Sequence, residues 1–258
     1  MAVAGLFWQD IGIDIGTANT LIAVRGLGVV LREPSAVALA GGDRNKLAGA
    51  GAEALAMLGR TPGGVTVEYP LAGGVVSDYN LTEQMLKRFL QQALGRRMPI
   101  LGVRAVACAP GCLSGVERRA LEEALKGAGV RDVQLMEEPL AAAIGAGLPV
   151  EQAKGRMVVD LGAGTTSAAT IALGGIVASN SRRVGGRSVD QAIAEHVRRE
   201  YGVVIGEHTA EAVKFALASA VMGNSGSMSV RGRDIGSGLP REVEVSAGEI
   251  NFAVRMPV

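Results

Sequence analysis

Aromatic residues make up only 3% of this 258-residue chain, and four Phe, three Tyr and one Trp cannot fill a large core. The core must come from Ala, Val, Ile and Leu, in a chain that is 48% apolar and long enough to bury one. Cysteine is nearly absent. Cys108 and Cys112 stand in "ACAPGCLS" with no CxxC and no neighbouring His, which supports neither a zinc site nor a disulfide framework and fits a reduced, cytoplasmic setting. No apolar run is long enough to span a membrane, and "MAVAGLFWQD" lacks the basic start and long apolar stretch of a secretory signal. Charge bias is missing too: the net charge is +1 and the Arg pairs are scattered, so no nucleic-acid partner is expected.

What the chain has in quantity is glycine, 37 residues, which frees many backbone positions for tight turns and favours α/β architecture. The first forty residues hold short β-rich runs ("DIGIDIG", "TLIAV", "VVL", "SAVALA"), as in a meander. Residues 41 to 78 are rich in glycine pairs and proline, which suggests a small loop-rich subdomain. Helical spacing begins in "NLTEQMLKRFLQQAL", where Asn80 and Glu83 form a candidate cap, and returns in "SGVERRALEEALKGAG", with Ser114 and Glu117 as a capping box. "VRAVACAP" and "DVQLMEEP" read as buried strands between helices, and "PLAAAIGAGL" as a helix with Pro139 in its first turn. After a second glycine-punctuated meander come "SVDQAIAEHVRREYG", with Ser188 and Gln191 as its cap, and "TAEAVKFALASAV". The tail reads as a hairpin across "GSGLP" followed by a helical turn.

One stretch occurs twice. "GIDIGTANT" at 12–20 aligns with "VVDLGAGTT" at 158–166, placing Asp14 over Asp160, Gly16 over Gly162 and Thr20 over Thr166. Each copy ends an apolar strand in a carboxylate and a glycine turn. Such turns leave backbone N–H groups bare, a nest for phosphate oxygens, and Thr17, Thr165 and Thr166 add small donors. A carboxylate beside phosphates would repel them unless a divalent cation lies between, held through water as magnesium usually is. Two opposed turns, one from each half of a duplicated domain, could grip one polyphosphate.

These motifs, with "MEEPLAAAIGAGLPV" between them, resemble the actin, heat-shock chaperone and sugar kinase ATPase superfamily. Within it "DIGIDIGTANTLIAV", "LREPSAVAL", "MLGRTPGGV", "SDYNLTEQML", "LGGIVASNSRRVGG", "RREYGVVIGEHTAE" and "VRGRD" resemble the MreB family of bacterial actin-like proteins, over nearly the whole chain. The resemblance implies an α/β, actin-like (ribonuclease H-like) two-lobed fold with a duplicated βββαβα core. It implies subdomain IA at 1–31 and 72–145, IB at 32–71, IIA at 146–180 and 246–258, and IIB at 181–245. It implies ATP or ADP with Mg2+ as cofactors, Asp14 and Asp160 orienting the metal through water, and phosphates held around Gly16, Thr17, Ala18, Asn19, Gly162, Ala163, Gly164 and Thr165. Glu138, beside a helix start and thus easily ionised, would position the attacking water, with Asp160 and Thr166 also catalytic. Glu211 and Lys214 would reach ribose and adenine.

Departures from the family pattern are Ala163, Ser167, Arg187, Ala216 and Ala218, and no Gly-Gly pair follows residue 186 where the family carries a second glycine-rich turn. The second lobe therefore reads as incomplete, the chain as C-terminally truncated, and hydrolysis linked to polymerisation as weak or lost. Leu6, Phe7 and Trp8, with Met98, Ile100 and Leu101 among arginines, suit the headgroup boundary of an acidic bilayer. By resemblance the partners are further copies in a filament, the inner membrane surface and the cell-wall elongation machinery, and the location is cytoplasmic, peripheral on the inner face of the membrane. The expected role is direction of cell shape and wall synthesis. The alternatives are a non-hydrolysing paralogue that regulates or caps filaments, a small-molecule kinase, and a chaperone-type ATPase.

Overall fold

Alternation of β-branched residues with small or polar ones builds the first sheet. In β1 (Trp8–Ile15), Ile11, Ile13 and Ile15 are buried while Gly12 and Asp14 turn to the opposite face. β1 pairs antiparallel with β2 (Asn19–Val24), and β2 with β3 (Gly28–Pro34), giving the expected meander. The computed structural model describes residues 8–41, 43–44, 46–57, 64–95, 101–221 and 225–255, and it divides into two units, Met1–Arg183 and Val184–Val258.

In the first unit, β4 (Val37–Ala40), β5 (Leu47–Ala50), α1 (Ala52–Ala56) and β6 (Val65–Glu68) follow, the strands forming a small sheet of order β5-β4-β6. The segment read as loop-rich thus carries a compact sheet. A short hairpin, β7 (Leu71–Ala72) and β8 (Val75–Val76), leads into α2 (Tyr79–Leu94). Asp78, not Asn80, caps α2, its side chain accepting from Leu81 N–H at 2.9 Å. The chain reverses here, with Ser77 and Asp78 N–H both donating to Pro70 O, so the helix starts two residues earlier than the apolar pattern suggests.

β9 (Gly102–Ala109), α3 (Gly115–Gly127), β10 (Val130–Glu137) and α4 (Glu138–Gly145) complete the first block. β9 and β10 run parallel to β1, so the central sheet is mixed, with order β10-β9-β1-β2-β3. The Ser114–Glu117 capping box is formed in both directions, and Pro139 sits in the first turn of α4 as its lack of an N–H allows. One sheet face packs on α2 and α3 through Ile11, Ile13, Val103, Ala105 and Ala107 against Leu86, Phe89, Leu121 and Leu125. Phe89, the largest side chain there, is fully buried, and burial of this kind stabilises by about 2–3 kcal/mol. The chain then repeats its opening: β11 (Arg156–Leu161), β12 (Thr166–Ala172) and β13 (Gly175–Arg182) form a second antiparallel meander.

The second unit consists of α5 (Gly186–Tyr201), β14 (Val203–Val204), α6 (Glu207–Leu217), β15 (Ser227–Asp234), β16 (Pro240–Ser246) and α7 (Ala247–Ala253). β15 and β16 are the expected hairpin. Ser188 does not start α5 but sits at its third residue and accepts from Gly185 N–H at 3.4 Å. α6 ends at Leu217, earlier than its apolar pattern, because Ala218 turns extended. Ala247 and Ile250 of α7 are buried with Ile193, Val197 and Val213 in the core of this unit.

Candidate functional site

The alternation that buries Ile13 and Ile15 leaves the other sheet face lined by Gly12 and Asp14 of β1, Leu21 and Ala23 of β2, Val106 and Cys108 of β9 and Met136 of β10. With Ala141, Ala142 and Ile144 of α4 and the turn before β12, they enclose a cavity of about 850 Å3, within the range of small-molecule sites.

Both repeated turns reach this cavity, and they are built alike. Ile15 pairs with Thr20 and Leu161 with Thr166. Gly16 N–H donates to Asn19 O at 3.0 Å, and Gly162 N–H to Thr165 O at 2.8 Å. A β-carbon on Gly16 would lie 2.8 Å from Asn19 O, so the first turn does not close in this form with a larger residue, and one on Gly162 would lie 3.1 Å from Thr165 O, a tight contact that the second turn would have to yield to. The amides of Gly16 and Gly162 are therefore consumed within their turns. Among the described residues, those of Thr17, Ala163 and Gly164, all lining the cavity, have no intramolecular hydrogen-bond acceptor.

The turns also touch. Gly164 lies so close to Thr17 that a β-carbon would overlap the threonine side chain. A third turn completes the contact: Gly73 and Gly74, both at positive φ (56° and 75°), join β7 to β8. Gly74 N–H donates to Thr17 Oγ1 at 2.9 Å, and a β-carbon on Gly74 would lie 2.7 Å from both Pro110 and Thr165. Because Thr17 Oγ1 accepts from Gly74, the hydroxyl proton is left to donate elsewhere. Gly74 and Cys108 had no signal of function in the sequence beyond a Gly-Gly turn and a strand position.

Asp14, Glu138 and Asp160 all line the cavity. Asp14 keeps a solvent-facing surface, yet the surrounding protein raises its pKa above the usual carboxylate value, with the charge of Asp160 adding to the effect. Glu138 is pushed up to about 7, first by burial, then by Asp160 and Asp14. Ready ionisation, expected from its place at a helix start, is thus overturned: desolvation and two like charges outweigh the helix dipole. Cys108 rises to about 12 through burial and the same three carboxylates, which makes it an inert thiol. Among the described residues no three His, Cys, Asp or Glu side chains stand close enough to hold one ion directly.

The remaining candidates lie elsewhere. Ala18 and Asn19 belong to the first turn without lining the cavity, and Thr166 opens β12, paired with Leu161 and Arg182. Glu211 and Lys214 are on α6 in the second unit. Glu211 is exposed, and Lys214 is held by Asp190 at 2.8 Å and stacks on Phe215 at 5.1 Å. Trp8 lies under the Arg104 guanidinium at 5.4 Å, and Leu101 is partly exposed. Leu6, Phe7, Met98 and Ile100 lie outside the described residues. Among the described residues no helix is long and apolar enough to cross a membrane.

A mixed five-stranded sheet, a repeated aspartate-bearing hairpin and a cavity where the two turns meet define an actin-like fold. Solved structures agree. MreB5 of Spiroplasma citri bound to AMPPNP matches with a TM-score of 0.84 and 36% identity, over 96% of this chain and 74% of that one. The same protein bound to ADP matches with a TM-score of 0.85. The MamK double helical filament matches with a TM-score of 0.75 at 20% identity, a likeness of fold alone. The family model for MreB/Mbl protein covers residues 8–258. Cell shape-determining protein MreB of Escherichia coli K12 is 46% identical over 258 residues, 98% of this chain and 74% of the relative. Cell shape-determining protein Mbl of Bacillus subtilis 168 is 44% identical, over 98% of this chain and 76% of that protein. The chain belongs to the MreB/Mbl family and spans about three quarters of the length of these relatives.

Proposed function

We propose that this protein is a nucleotide-dependent, actin-like cytoskeletal subunit that self-associates into filaments on the inner face of the cell membrane and directs cell shape and wall synthesis. The observation that supports the reading best is the meeting of both aspartate turns at one cavity, with Asp14, Glu138 and Asp160 around it. One relative of known structure, MreB5 of Spiroplasma citri, is bound to AMPPNP and to ADP, and others carry the name cell shape-determining protein.

In this reading the free amides of Thr17, Ala163 and Gly164 and the hydroxyl of Thr17 bind the phosphates of ATP or ADP. The donor set fits Mg2+ at one remove: Asp14, Glu138 and Asp160 line one cavity without forming a direct ligand cluster, and a nearby divalent charge would relieve the raised pKa values of Asp14 and Glu138. Asp14 and Asp160 would hold it, and it would supply neutralisation of phosphate charge. Glu138, titrating near neutral pH, is suited to orient an attacking water and take its proton. Trp8, under the Arg104 guanidinium, and the partly exposed Leu101 are the described part of the proposed membrane edge.

Calorimetric titration with ATP and Mg2+ tests the nucleotide reading. Binding is expected for the unaltered protein and a loss of at least about tenfold for Asp14→Asn combined with Asp160→Asn. No binding by the unaltered protein, or equal binding by the variant, overturns it.

A further inference from the structure

Behind the first turn, on the side away from the cavity, lie two hydroxyls that the proposed chemistry does not use. Ser35, on the link between β3 and β4, and Thr20, at the start of β2, are both fully buried. Ser35 makes two bonds to the turn: its Oγ–H donates to Gly16 O at 2.7 Å and its N–H donates to Ala18 O at 2.8 Å. Thr20 Oγ1 lies 2.9 Å from Ser35 Oγ. A carbonyl can only accept, so the Ser35 proton is committed to Gly16 O, and the Thr20 hydroxyl must be the donor to Ser35. The order of the relay is therefore fixed: Thr20 O–H to Ser35 Oγ, Ser35 O–H to Gly16 O.

This has a consequence for the opposite side of the turn. In a trans peptide the C=O of one residue and the N–H of the next point in opposite directions. A Gly16 carbonyl held on the buried side by Ser35 therefore turns the Thr17 N–H to the opposite side. Thr17 lines the cavity, and its N–H has no intramolecular acceptor. The Gly16 N–H is spent on Asn19 O, so the peptides on either side of Gly16 are each held by one group, the preceding one by its N–H and the following one by its C=O.

We infer that Ser35 is a positioning residue: by clamping the carbonyls of Gly16 and Ala18 from the buried side, oriented by Thr20, it aims the Thr17 amide at a polyphosphate in the cavity. The inference rests on the nucleotide reading for its ligand, but not for the geometry it assigns. It predicts an effect that scales with phosphate and leaves nucleoside recognition alone. An unsatisfied Gly16 carbonyl would favour a flipped peptide, which presents oxygen instead of N–H to an anion.

Binding of Mg-ATP, magnesium pyrophosphate and adenosine is measured for the unaltered protein, Ser35→Ala and Thr20→Val, with thermal unfolding of each. Ser35→Ala is expected to weaken ATP and pyrophosphate about tenfold and adenosine not at all, and Thr20→Val, which keeps the clamp but loses its orienting donor, to weaken them less. Equal affinity of Ser35→Ala and unaltered protein for pyrophosphate, or a parallel loss for adenosine, overturns the inference while leaving the nucleotide reading intact. Should the unaltered protein bind none of the three, the nucleotide reading falls by itself, and a crystal structure of ligand-free Ser35→Ala decides the clamp: a reoriented Gly16–Thr17 peptide upholds it, an unchanged one overturns it. If Ser35→Ala does not fold, Thr20→Val carries the same comparison.

Discussion

Replacing Glu138 by Gln in the ligand-free protein raises its stability at pH 8, with a much smaller gain at pH 5. The Glu138 carboxyl has a pKa of about 7 in the fold against an ordinary 4.5. Between those values the folded chain holds a proton that the unfolded chain has released, so stability falls as pH rises through the window, and the loss is complete above about pH 7. A shift of that size has a ceiling of about 3 kcal/mol. The side chain borders water in the cavity, so screening leaves about 1–2 kcal/mol. Gln keeps the volume and hydrogen-bonding shape without the charge, and removes this loss. Thermal unfolding in EDTA at pH 8 should show a gain of about 2–6 °C, and at pH 5 about a quarter of it. Asp160 is the larger of the two neighbouring charges acting on Glu138, so the gain should shrink in an Asp160→Asn background. An equal gain at both pH values, or no gain at pH 8, would refute the clustering of carboxylates from which the argument starts.

Other consequences follow from the packing. Phe89→Ala, in a fully buried position, should cost about 3–5 kcal/mol in denaturant unfolding; a cost under about 1 kcal/mol would contradict its place between α2 and the sheet. Gly164→Ala should force the two turns apart against Thr17 and weaken ATP about tenfold while far-ultraviolet circular dichroism stays unchanged. Glu117 is held down to about 2 by the Ser114 amide, then Arg183, then the Ser114 hydroxyl. The folded carboxylate thus loses its proton more readily than the unfolded one, and Glu117→Gln should cost about 1 kcal/mol at pH 7 and nothing once the pH falls below about 2. Trp8→Ser should reduce co-sedimentation with acidic phospholipid vesicles, and unchanged sedimentation would remove Trp8 from the proposed membrane edge.

Local signals in the sequence carried far. The Ser114–Glu117 box, Pro139 at the start of α4 and the two aspartate hairpins each depend on residues within a few positions of one another, and all appear in place. The cap of α2 was less legible because Asp78 and Asn80 precede the same apolar run, and the choice is made by the distant Pro70 carbonyl. Ser188 follows the same logic: as an acceptor it can serve a preceding amide from inside the helix, and Gly185 allows that start. The sequence neighbours of Glu138 give only the helix dipole. Its pKa is set by Asp160 and Asp14, brought near by the sheet. Gly74 and Ser35 illustrate the same limit, since what they hold lies on another strand or turn.

The two faces of the central sheet obey opposite demands, and the register of β1 is where they meet. Ile11, Ile13 and Ile15 bury their side chains against α2 and α3, while the intervening positions place Gly12 opposite Ala23 and Val106, and Asp14 opposite Leu21 and Cys108. A one-residue slip would turn the isoleucines into the cavity and the carboxylate into the core, so the hydrophobic face pins the polar one. Packing energy on one side therefore fixes the carboxylate position on the other to within the tolerance of a strand pair. That placement disfavours the charged carboxylates, first by burial and then by their neighbouring charges, and raises the pKa values of Asp14 and Glu138. A bound divalent ion would offset that contribution, so in the proposed function the carboxylates at the cavity would make nucleotide with metal a stabilising ligand.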